Sequence, residues 1–178
     1  MTSIREKIPS WGQLAPVYSI IVLFIYPWTI IPFFWKLPSW LYYLPIGKIF
    51  VIYAYAASVN FIESLLILFG FIFLSVVFPK KLLYEHFISR SSMMAILGLS
   101  YLMYFDKQMT NIDEFPRSMV NWIPLVLVGI LILTYILDQI KPVRKFIESL
   151  ADRTTVFLYI AIPFSVLSLA IVLFRNIF

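Results

Sequence analysis

Long stretches of this 178-residue chain carry no charge at all, and that feature narrows the possible folds most. Residues 8–35, 91–105, 118–137 and 154–174 are uncharged, and residues 49–79 hold a single ionisable carboxylate, Glu63. A helix needs about 20 apolar residues to cross the hydrocarbon of a bilayer. Runs of this length in a water-soluble protein would leave too little polar surface to coat it. Composition agrees: 62% of residues are hydrophobic and 13% charged, against about 25% charged in an ordinary soluble domain.

The expected fold is therefore all-α, an integral membrane bundle of about five transmembrane helices with short interfacial helices, forming a single domain over 1–178. The spans are expected near 14–35, 49–78, 88–105, 119–138 and 155–174. The third is the shortest, and it crosses if its helix begins near Phe87 and Arg90 snorkels to the headgroups. With five crossings, Arg5, Lys7, Lys80, Lys81, Arg90, Lys141, Arg144, Lys145 and Arg153 fall on one face, and Lys36, Lys48, Lys107, Arg117 and Arg175 on the other. The excess of basic residues puts the first face, with the N-terminus, in the cytoplasm and the C-terminus outside, in a plasma membrane. The first span is too long for a cleavable signal peptide and no small-x-small site follows it. Pro27, Pro32 and Pro163 lie inside spans and are expected to kink them.

Aromatic residues gather toward the outer ends of the spans. Trp35, Trp40, Tyr42, Tyr43, Tyr104 and Trp122 form the expected outer aromatic surface, either an ordinary interfacial belt or a platform for a lipid, a pigment or a neighbouring subunit. The connection LPSWLYYLP is too apolar for a free aqueous loop. In 141–154, KPVRKFIESLADRT, Val143, Phe146, Ile147 and Leu150 share one face, and Lys141-Pro142 suits a helix start. This reads as a short amphipathic helix lying along the interface.

Glu63 lies 15 positions after Lys48 and 17 before Lys80, close to the middle of the second span. An ionisable group at that depth costs several kcal/mol unless neutral, paired or wet, on the order of 3 kcal/mol on insertion scales. The helical stripe Tyr53, Ala56, Asn60, Glu63, Ile67 and Gly70 is small and polar by membrane standards, as helix–helix contacts are. Glu63 is thus expected to hydrogen-bond inside the bundle, with Asn60 and Tyr26 as its first partners. Gly98, Gly129, Ser165 and Ser168 are expected to bring helices close together at the same depth. Asp138 is explained locally by Lys141 three residues on. Asp106, Asp113 and Glu114 lie among basic residues and read as a solvated loop, and His86 beside Glu85 as a surface histidine.

Several chemistries are excluded by residue inventory. There is no cysteine and one histidine, so no cysteine-based or multi-histidine cofactor site and no metal site of either kind can be built. The basic residues are scattered between apolar runs, with no stripe for nucleic acid. No nucleophile elbow, phosphate loop or HExxH is present. The leading expectation is a non-catalytic accessory or scaffold subunit of a larger membrane complex, its partners being lipids and other membrane subunits. The alternative is a small oligomeric transporter or channel component with Glu63 as its protonatable group. A membrane enzyme acting on lipid ranks third.

Overall fold

A computed structural model of the chain describes residues 9–80, 83–110 and 117–177. Among these residues the protein is all-helical. The helices are α1 (Trp11–Tyr43), α2 (Ile46–Val77), α3 (Phe87–Thr110), α4 (Arg117–Gln139), α5 (Lys141–Thr154) and α6 (Leu158–Ile177), with one 3₁₀ turn, Thr155–Phe157, between the last two. Four stretches are long and apolar enough to cross a membrane: α1, α2, Val120–Gln139 within α4, and Lys141–Ile177, which holds α5 and α6. Backbone polar groups have no partner in hydrocarbon, so a spanning chain satisfies them within its own helices.

α1 begins earlier and ends later than the expected span 14–35. Gln13 Oε1 accepts a hydrogen bond from the Ser10 backbone N–H at 3.0 Å, half of a capping box that starts the helix at Trp11. The helix then continues through Pro16, Pro27, Pro32 and Pro38 to Tyr43. The segment expected as an outer loop is thus the last third of α1, and only Leu44 and Pro45 separate it from α2. Pro27, Pro32 and Pro38 sit at exposed positions. Likewise Pro163 lies within an unbroken α6. At 1.5 Å per residue, α1 and α2 are each about 50 Å long and α6 about 30 Å.

α3 is the helix that hydropathy underrates. It is 24 residues long, enough to span, yet it is absent from the apolar set. The packing supplies the reason. α3 lies against α1, α4 and α5, and its first half, from Phe87 through Ala95, is buried except for the partly exposed Ile88. Enclosed by other helices, this half meets no lipid, so Ser89, Ser91 and Ser92 fit where a lipid-facing helix would need Leu. Val17, Ile20 and Ile21 of α1 and Phe87 of α3 are almost wholly buried in the core they share.

α5 is the expected amphipathic helix, with Pro142 in its first turn. Its inner face is turned slightly from expectation. Ala151 is fully buried and Val143, Ile147 and Leu150 partly so, while Phe146 is exposed. The small Ala151 permits close approach to α1, where Ser19 Oγ reaches the Ala151 carbonyl at 3.0 Å.

Cross-bonds fix the heights of the helices against one another. Tyr26 of α1 bonds Ser165 of α6, and Thr29 of α1 bonds Asn60 of α2. Glu63 is three residues past Asn60 and lies near the middle of α2. At the other end, the Tyr55 hydroxyl donates to Asn176 Oδ1 at 3.1 Å. The first turn of α2 and the end of α1, joined by Leu44 and Pro45, form a hairpin tip.

Candidate functional site

Hydroxyl and amide side chains join the spans in pairs. The Tyr18 hydroxyl lies 3.2 Å from Ser64 Oγ. Ser19 Oγ lies 2.8 Å from Thr154 Oγ1, and Thr29 Oγ1 donates to Asn60 Oδ1 at 2.8 Å. With Tyr26–Ser165, these bonds tie α1 to α2, to α5 and to α6. Each replaces an otherwise unsatisfied polar group in hydrocarbon, and such bonds are worth about 0.6–2 kcal/mol in membranes.

Asn60, Tyr26 and Glu63 are therefore not joined as expected. Asn60 is held by Thr29, and Tyr26 by Ser165. Glu63 is exposed and has no hydrogen-bond or ion-pair partner among the described residues. The geometry of α2 accounts for this. Its packed seam runs through Ala57, Asn60, Ser64, Leu68, Phe71 and Ser75, a spacing of three and four that puts these residues on one face. Glu63 precedes Ser64 by one residue and so points about 100° away from the seam. Counting charges found its place along α2 but not its direction.

The glycines also differ from expectation. A methyl group added at Gly70, Gly98 or Gly129 would meet nothing within 4 Å, so none of them marks a close approach. Serines do that instead: Ser64, Ser75, Ser165 and Ser168 are buried between helices.

Glu63 opens onto a groove of about 640 Å³ between α1, α2 and the second half of α3. Trp28, Leu66, Leu102 and Met103 form its apolar walls, and Thr29 and Asp106 are its other polar members. Asp106 lies seven residues beyond the buried Leu99 on α3, about 10 Å toward the hairpin tip.

At the opposite end lies a polar cluster that sequence reading missed. Arg90 Nε donates to Asp138 Oδ2 at 2.7 Å, and the two side chains are 8% and 1% exposed. The guanidinium also lies 5.4 Å from the centre of the Tyr135 ring, within cation–π range. Arg90 does not snorkel, and Asp138 is not paired with the exposed Lys141. The buried Ser91, Ser92 and Thr134 hydroxyls and Asp138 Oδ1 have no partner among the described residues. Nearby, Arg144 Nη1 lies 3.2 Å from His86 Nε2. The partners Arg90 and Asp138 are 48 residues apart. The sequence clue was two opposite charges set just inside the ends of consecutive helices on the same side.

The aromatic positions divide into two groups. Trp35, Tyr42 and Tyr43 are almost fully exposed on the hairpin tip, and Tyr104 and Trp122 are exposed on α3 and α4. Trp40 instead folds back on Phe33, with ring centres 5.4 Å apart. Phe33 in turn meets Tyr53, which meets Phe164, so a ladder of edge-on rings links α1, α2 and α6. Asp113 and Glu114 lie outside the described residues. No group of three or more His, Asp or Glu residues is placed to hold a metal ion among the described residues. Comparison with protein-family models, curated proteins and solved structures finds no match to this chain.

Proposed function

We propose that the chain is a non-catalytic accessory subunit, a scaffold within a larger complex of the plasma membrane, with its N-terminus cytoplasmic and its C-terminus outside. One observation carries the reading: Glu63, near the middle of α2, is exposed on an open groove rather than packed inside the bundle. A carboxyl group at that depth does not face acyl chains without a large cost. A neighbouring subunit that closes the groove removes the cost. The internal polar groups support the same reading, because Tyr18, Ser19, Tyr26 and Thr29 are engaged in holding helices together. The end of α1 and the hairpin tip would carry the exposed Trp35, Tyr42 and Tyr43 to headgroup level, where amphipathic rings are favoured.

The test is purification from native membranes in a mild detergent, followed by native mass spectrometry. Stoichiometric companion polypeptides are expected, and a stable lone monomer would overturn the reading. The same open groove also favours a second reading, in which Glu63 titrates during proton or cation transport. That reading requires Glu63→Gln to abolish flux in liposomes while assembly survives; unchanged flux removes Glu63 from any transport mechanism.

A further inference from the structure

We infer that the groove between α1, α2 and α3 receives a transmembrane helix of a different protein, and that this helix carries a lysine or arginine at the depth of Glu63. The inference rests on the scaffold reading and names the partner's chemistry. Charge complementarity is the first argument. Glu63 sits near the middle of α2 with no partner among the described residues, and it opens onto the groove between three helices. A basic residue brought into this groove neutralises a carboxylate that lipid cannot. The walls supply the rest: Leu66, Leu102 and Met103 offer an apolar surface, and an unbranched methionine adapts to the shape of what packs on it.

A second copy of the chain does not meet the requirement. Between Lys48 and Lys80, and throughout 8–35, 118–137 and 154–174, there is no Lys or Arg. The third span has Arg90 near its start, and that side chain is already bound to Asp138. The mid-depth cation must come from another sequence.

The test uses the full-length chain in phosphatidylcholine vesicles. The protein has no cysteine, so Ser149→Cys, on an exposed position of α5, takes a single fluorescent donor. The probes are acceptor-labelled leucine–alanine transmembrane peptides with either one central Lys or one central Gln. Energy transfer is expected to show the Lys peptide associating about 3- to 30-fold more strongly than the Gln peptide, the range for a polar contact between membrane helices. Moving the Lys by one helical turn, or substituting Glu63→Gln in the protein, should remove the preference. Because Glu63 is exposed, Glu63→Gln should keep the helical circular dichroism of the parent. Equal association of the two peptides, or a preference that survives Glu63→Gln, overturns the inference while leaving the scaffold reading standing. Self-association of the labelled chain that is lost in Glu63→Gln would assign the groove to a second copy, and so also overturns it. A lone monomer from native membranes would defeat the scaffold reading instead.

Discussion

Removing one member of the Arg90–Asp138 pair should be among the most damaging single changes in this protein. At 2.7 Å, two unit charges attract by about 6 kcal/mol at an effective dielectric of about 20. Much of that attraction offsets the desolvation of both groups, so the intact pair contributes little net stability. Breaking it is different. Arg90→Met takes the bonded cation from a carboxylate that is 1% exposed, and Asp138→Leu takes the bonded carboxylate from a guanidinium that is 8% exposed. Each single variant should lose about 3–5 kcal/mol, and the apolar double variant should recover most of the loss. Far-UV circular dichroism during SDS titration of the protein in mild-detergent micelles measures all four corners of the cycle. A coupling energy above about 2 kcal/mol is expected for neighbours sharing one ion pair. Single variants costing less than about 1 kcal/mol each, with additive effects in the double variant, would refute the reasoning.

Other substitutions follow from the same packing. Glu63→Gln should leave stability within about 0.5 kcal/mol, as for an exposed site without partners, whereas a buried glue residue would not tolerate it. Thr29→Val removes the donor to Asn60 and should cost about 0.6–2 kcal/mol in the same titration. Gly129→Ala should raise stability by up to about 1 kcal/mol, since the added methyl meets nothing and alanine favours the helix.

The long apolar helices were legible because charges punctuate the sequence and leave uncharged runs of the length a helix needs to cross a bilayer. Glu63 was placed near the middle of its helix for that reason, and Pro142 marked the start of α5. Direction was not legible. A shift of one residue around α2 separates Glu63 from the Ser64 seam, and the stripe through Asn60 and Glu63 was an equally good candidate on composition. Arg90 and Asp138 each had a sufficient local explanation, snorkelling for one and Lys141 for the other. Only the fold brings together residues 48 positions apart. α3 was the hardest case, since a helix enclosed by its neighbours need not be apolar and so hides from hydropathy. The last third of α1 was hidden by its prolines, which look like loop residues in a sequence but occupy exposed positions on a continuous helix.

The scaffold role requires that the groove beside Glu63 be covered in the native membrane. Photo-crosslinking residues placed singly at Trp28, Leu66 and Leu102, which line the groove, can be compared with the same probe at Leu133 and Ile136 on the exposed face of α4. Irradiation of native membranes should give one discrete protein adduct from the three groove positions and lipid adducts alone from α4. Lipid adducts from the groove, or the same protein adduct from both faces, would contradict it.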